Sequence, residues 1–160
     1  MSENASTLLF TRKAELVSAI VRPAATLNEA LQYALKICAE KEACSLLVSG
    51  CEAELSPPAG QLCDQKRGKI IAAPDLDGAV RTDFTDQCRE AGIDVIHEGL
   101  RAHLGGIDIG ITWANWGIAE TGTLVIDSTH EDVRLTSMIS EIHLCLLPVK
   151  RIVGTADDIA

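Results

Sequence analysis

Apolar residues recur along this chain with two spacings, and the switching between them predicts its elements. Leu27, Leu31, Ala34, Leu35 and Cys38 fall three and four positions apart, the spacing of one helix face. Thr26 precedes them as an N-cap, and Glu29 three residues on completes a capping box. An earlier helix is expected to hold Leu9, Leu16, Val17 and Ile20, closed off by Pro23. Asp77 begins another, with Val80, Phe84, Cys88 and Ala91 on its inner face and Gly92 as its C-cap. Short apolar runs between these stretches read as strands. They are Ser45 to Ser49 ending at Gly50, Lys69 to Ala73 stopped by Pro74, and Ile93 to Ile96. Ile107 to Thr112, Thr123 to Ile126, and Leu144 to Leu147 before Pro148 complete the set.

Strands separated by helical patterns imply βαβ units, hence a three-layer α/β fold with a mostly parallel sheet covered on both faces. The interval from Thr112 to Thr123 is too brief for a covering helix, so an antiparallel pair or a local turn is expected there. That makes it a natural edge for a ligand. Pro57-Pro58-Ala59-Gly60 reads as a loop and not a linker, because too little chain precedes it to form a second core. The expectation is one domain over 1–160, with N-terminal helices over 1–43 and an α/β core over 44–160. Thr155 suits a helix N-cap, and Asp157 and Asp158 suit its first turn. The sequence stops at Ala160 about one turn later, too soon for a helix stable alone, so a truncated C-terminal helix is expected.

Composition narrows the function classes. With 160 residues, 47% of them hydrophobic, the chain can bury a real core. A net charge of -9 argues against nucleic acid, whose phosphates require clustered Lys and Arg. No window approaches the roughly 18 apolar residues of a membrane span. MSENASTLLF lacks the basic start and apolar core of a signal peptide, so a cytoplasmic location is expected. The six cysteines (Cys38, Cys44, Cys51, Cys63, Cys88 and Cys145) form no C-x-x-C pair and read as reduced structural thiols. His97, His103, His130 and His143 show no zinc-site spacing relative to them, and no metal site or resident cofactor is expected. His143 reads as a strand-end residue with a satisfied ring, and the other three as surface residues.

The stretch Gly117 to Ile126, GIAETGTLVI, is where chemistry concentrates. Glu120 supplies a charge, and Thr121 and Thr123 supply hydroxyls, where a plain buried strand wants neither. Gly122 permits a tight turn and close approach of a ligand to the backbone. The bland alternative is a structural turn, with Glu120 solvated or bonded to nearby N–H groups. The functional one is a polar ligand cradle at the sheet edge. Arg134, with Ser137 one helical turn on, offers a planar fork for a carboxylate or phosphate, against a weak surface pair with Glu131 or Asp132. Trp113 and Trp116 flank the same stretch, as ligand-stacking faces or as plugs of a core edge, and Asn115 between them bonds a ligand or holds the turn. Ser49-Gly50 is a poor phosphate loop, since Glu52 and Glu54 follow at once.

DIGITWANWGIAETGTLVIDS, Asp108 to Ser128, resembles the strand, loop and strand of the LUD-domain family, specifically its lactate utilization protein C branch. Arg134, Ser137 and a strand from His143 to Val153 follow at that family's distances, while Ile139-Ser140 departs from its frequent Leu-Pro. The resemblance implies the fold shared by glucosamine-phosphate deaminases, ribose-phosphate isomerases and CoA transferases. It also implies a part in oxidation of L-lactate to pyruvate beside iron–sulfur partner proteins. Glu120 is then the candidate catalytic residue, and Thr121, Gly122, Thr123, Arg134, Ser137 and Asn115 the candidate ligand-binding residues for a small anion. Ala119-Glu120-Thr121-Gly122 is similar to the Ser-Glu-Asn-Gly turn whose glutamate is the nucleophile of CoA transferases. Three functions stay open at this point. They are an accessory or ligand-binding subunit, an independent small-molecule enzyme using Glu120 as base or nucleophile, and a scaffold or interaction domain. Apolar surface left uncovered near the Leu144 strand makes a homodimer, or docking with partner subunits, an expectation of its own.

Overall fold

In the computed structural model, residues 3–44, 57, 66, 68–103 and 105–159 are described. The expected strand at Ser45–Ser49, the Ser49-Gly50 loop, Pro58 to Gly60, Cys51 and Cys63 lie outside them. The helices are α1 (Glu3–Glu15), α2 (Leu27–Glu40), α3 (Gly78–Glu90) and α4 (Glu131–Ile139). The strands are β1 (Lys69–Ala72), β2 (Ile93–Ile96), β3 (Ile107–Trp113), β4 (Trp116–Ile118), β5 (Thr123–Val125), β6 (Ser140–Leu146) and β7 (Ile152–Val153). Among the described residues no helix is long and apolar enough to cross a membrane. The chain forms two compact units, one of Leu27–Thr112 and Ser128–Leu144, the other of Met1–Thr26, Trp113–Asp127 and Cys145–Ala160.

The larger unit carries a four-stranded parallel sheet of order β2-β1-β3-β6, flanked by helices, as the alternation of periods predicts for an α/β fold. Ile71 pairs with Val95 on one side and Ile109 on the other. Ile71, Ala72, Ile107, Ile109 and Ile111 are buried regardless of which face they point to, because helices cover both faces of such a sheet. Each fully buried isoleucine contributes about 1.5–3 kcal/mol relative to exposure. Ile70, Ala72, Leu100 and Ile107 form one core, against which Ile96, Leu135 and Ile139 pack. Gly110 is required there, since a Cβ would lie 2.6 Å from the Thr136 carbonyl oxygen.

In the smaller unit α1 accompanies a second sheet, β5-β4-β7, whose core is Phe10, Ala14 and Ala119 with Leu9, Val21, Leu147 and Ile152. β4 and β5 are antiparallel, pairing Gly117 with Leu124 and Ile118 with Thr123, and β4 and β7 are parallel. Of the antiparallel pair or local turn expected in the short interval before Thr123, the structure has the antiparallel pair.

The N-terminal helix differs from its expectation. α1 stops at Glu15, Ser18 adopts a left-handed φ of 69°, and Leu16, Val17 and Ile20 are exposed. Its buried face is Phe10 and Ala14 instead. In α3, Phe84 and Cys88 are buried as expected, but Val80 and Ala91 are exposed. The strand near Leu144 begins four residues earlier, at Ser140, because β6 starts directly where α4 ends. The end of the chain is a short 3-10 turn, Ala156–Ile159. There Asp158 reaches back to accept hydrogen bonds from the Thr155 N–H and hydroxyl. Those bonds hold its carboxyl below the usual range.

Candidate functional site

The signature turn joins β4 to β5, and three of its backbone donors are committed to the fold. Glu120 N–H donates to the Gly154 carbonyl at 3.1 Å, Ala119 N–H to Val153 at 2.9 Å, and Gly122 N–H to Ile118 at 2.8 Å. Gly122 has φ of 71°, a region that favours glycine, and a Cβ there would come within 2.7 Å of the Lys13 carbonyl carbon in α1. The glycine therefore serves close packing on a helix backbone. Gly117 is similarly confined, 2.6 Å from Leu147 Cδ2 for a hypothetical Cβ.

Held this way, the turn presents its polar side chains outward. Glu120, Thr121 and Thr123 are all exposed. Thr121 donates its hydroxyl to Thr123 Oγ1 at 2.8 Å, and among the described residues no side-chain donor meets the Glu120 carboxylate. Asn115 holds the strand pair together. Its N–H donates to Val125, its Oδ1 accepts from Asp127 N–H at 2.6 Å, and its carbonyl accepts from Arg151. The Arg151 guanidinium carbon lies 5.5 Å from the Trp116 ring centroid, so this cation already takes a face of that ring.

Arg134 and Ser137 belong to the other unit, on α4. Arg134 Nη1 donates to the Ser128 and Thr129 carbonyls at 2.6 and 3.1 Å, tying its helix to the loop before it. Ser137 donates to the Arg134 carbonyl at 2.9 Å. The expected surface partners of Arg134 are engaged elsewhere. Glu131 pairs with Arg101, and Asp132 accepts from the Gly99 and Leu100 N–H groups. Glu120, Thr121, Gly122, Thr123 and Asn115 thus share one unit, and Arg134 and Ser137 the other.

The larger unit also contains a polar cluster that periodicity and motif reading do not single out. Asp108, on β3, is fully buried. Its Oδ1 accepts from Lys41 Nζ at 2.8 Å and Cys44 N–H at 2.6 Å, and its Oδ2 from Ile70 N–H at 2.8 Å. Lys66 Nζ stands 3.2 Å from Oδ2. Burial alone would raise the Asp108 carboxyl, but Lys41, the Cys44 and Ile70 amides and Lys66 outweigh it and hold it at about 2. Lys41 bridges onward to Glu141 at 2.9 Å. The Cys44 thiol and the two carboxylates lie within 4.8 Å of one another, a spacing a metal ion can use. The Lys41 ammonium, bonded to both carboxylates, already supplies the positive charge there. A signal for the cluster was present in the sequence: Asp108 interrupts an isoleucine-rich strand at a position where an unpaired carboxylate is prohibitively costly.

Other titratable groups sit in the same unit. His97 is half-buried and not at the surface, with Nδ1 2.7 Å from the Ala73 carbonyl and Nε2 3.0 Å from Thr85 Oγ1. Burial lowers its pKa, although the Ala73 bond opposes this. His143 lies within β6 with Nε2 2.8 Å from Thr112 Oγ1, and burial lowers it too. Cys38 and Cys88 are fully buried thiols, pushed up to about 11 and about 12 chiefly by desolvation, and pack as small apolar groups.

No curated protein and no solved structure matches the chain. A family model described as LUD domain matches residues 8–160, taking in both units, the signature turn and the Asp108 strand, and the chain belongs to the LUD-domain family.

Proposed function

We propose that this chain is an accessory or ligand-binding subunit of bacterial lactate utilisation, of the lactate utilization protein C kind. It acts with iron–sulfur partner proteins in oxidation of L-lactate to pyruvate. The family membership supports the general setting. The observation that carries the choice of role is the state of the signature turn: Glu120, Thr121 and Thr123 are exposed on a backbone locked against α1. A rigid polar turn of this kind recognises a partner or ligand at little entropic cost.

The alternative role, with Glu120 as an acyl-forming nucleophile, needs donors aimed at the developing oxyanion. Two donors on the turn, the Glu120 and Gly122 N–H groups, are bonded to Gly154 and Ile118 instead. This favours recognition over covalent catalysis. Exposed Leu16, Val17 and Ile20 in the same unit as the turn are apolar surface of the sort that partner proteins cover.

Affinity capture of the tagged chain from lactate-grown cells tests the proposal. Iron–sulfur proteins are expected to be retained by the wild type and lost with Glu120→Gln. Retention of no such protein, together with turnover of lactate or an acyl-CoA by the isolated chain, would favour the independent enzyme.

A further inference from the structure

We infer that Cys44 and Lys66 form an oxidisable pair that closes, in the presence of dioxygen, into a covalent Cys–S–O–NH–Lys bridge. The juxtaposition carrying this is a thiol and an amine in direct contact beside a buried carboxylate. Lys66 Nζ donates a hydrogen bond to Cys44 Sγ, so no atom stands between nitrogen and sulfur. Two further contacts fix the amine: it donates to the Cys44 carbonyl at 2.9 Å, and Asp108 Oδ2 stands 3.2 Å away. The Lys66 side chain is 8% exposed, so it has little room to swing into solvent. Cys44 is half-buried, so its thiol is not sealed from solvent.

The chemistry balances with dioxygen as the only co-reactant. Lys66 reacts as the free amine after releasing its extra proton to water. The thiol loses its S–H hydrogen and the amine one N–H hydrogen. One oxygen atom is inserted between sulfur and nitrogen, and the other leaves with the two hydrogens as water. Sulfur and nitrogen are each oxidised by two electrons, and dioxygen is reduced by four. This differs from the usual course of thiol oxidation, in which a sulfenic acid condenses with a thiol or a nitrogen by losing water.

The bridge would have a structural consequence at Asp108. A hydroxylamine-type nitrogen carries no charge at neutral pH, so Asp108 would keep Lys41 and two backbone donors but lose its second cation. In exchange, the chain before β1 would be tied covalently to the segment after α2.

Peptide mass spectrometry of the full chain, incubated in air or anaerobically with dithiothreitol, tests the inference. In air a linked pair of peptides holding Cys44 and Lys66 is expected, heavier than their sum by one oxygen less two hydrogens. Dithiothreitol should abolish it, as should Cys44→Ser and Lys66→Arg. A linked pair lacking the oxygen, a disulfide at Cys44, a sulfinic acid at Cys44, or a thiol unchanged after prolonged aeration would each overturn it. The wild-type spectrum decides the matter even if either variant fails to fold.

Discussion

Glu120 sits on an exposed turn with no side-chain donor beside it among the described residues, whereas Asp108 is fully buried with four donors around its two oxygens. Asp108 lies within an apolar strand and Glu120 between two, and both belong to the stretch that resembles the family signature. Their surroundings assign them opposite work. A buried carboxylate persists only when its lone pairs are filled, so Asp108 is committed to joining α2, β1 and β3. An exposed carboxylate on a rigid turn contributes little to stability and stays free for a partner. In the signature unit the backbone is rigid and the side chains are available. At the Asp108 cluster the side chains themselves are the structure.

The largest effect expected from this contrast is at Asp108. Asp108→Asn leaves Lys41 and Lys66 without their shared counter-charge, and breaking such a buried pair costs about 3–5 kcal/mol. Urea unfolding should show that loss. A change below about 1 kcal/mol, the scale of exposed pairs, would place Asp108 with Glu120 and dissolve the contrast.

Gly122→Ala is next. The alanine must adopt φ of 71° and bring its Cβ against the α1 backbone, so a loss of about 1–3 kcal/mol is expected. Thermal melting should register it, and an unchanged midpoint would mean that the turn does not rest on α1.

Acid sharpens the comparison in a different way. The folded Asp108 carboxyl, at about 2, lies below the unfolded value, so the fold favours its charged form. Its stabilisation is full above about pH 4 and is lost as pH falls from there toward 2, on the order of 2 kcal/mol in all. His97 and His143 are lowered chiefly by burial, so the fold favours their neutral rings. Stability should therefore begin to decline earlier, as pH falls below the ordinary histidine value of about 6.5. Urea titrations across pH separate the two limbs. Asp108→Asn should remove most of the lower limb, the remainder coming from the exposed Asp158 and Glu131 carboxyls, which are also lowered, and should leave the upper limb unchanged.

Much of this architecture was readable from spacing, because strands and helices are local. β2 occupies the expected Ile93–Ile96, and β1 differs from its expectation by one residue. Length alone narrows the interval before Thr123 to an antiparallel pair or a local turn, and the pair is what forms. The errors have physical causes. Leu16, Val17 and Ile20 continue a helical pattern, but a left-handed Ser18 turns the chain away, and no proline or glycine marks that point. The sequence around His97 reads as surface because its partners, Ala73 and Thr85, come from other elements.

The candidate site was legible in part. The turn residues stand out by their chemistry, but Gly122, expected to let a ligand approach the backbone, is instead packed against the backbone of α1. Asp108 drew no attention because Lys41 lies 67 positions away and Ile70 38. A pattern along the chain cannot display a contact that only folding creates.

The smallest structural effect belongs to Glu120→Gln, and it tests the central claim most directly. The substitution keeps shape and removes charge at an exposed position, so stability should change by no more than about 0.5 kcal/mol. Growth on L-lactate as sole carbon source, measured in cells whose only copy carries the variant, is predicted to fail while the purified protein melts as the wild type does. Normal growth on lactate with that variant would contradict the account and leave the turn a purely structural element.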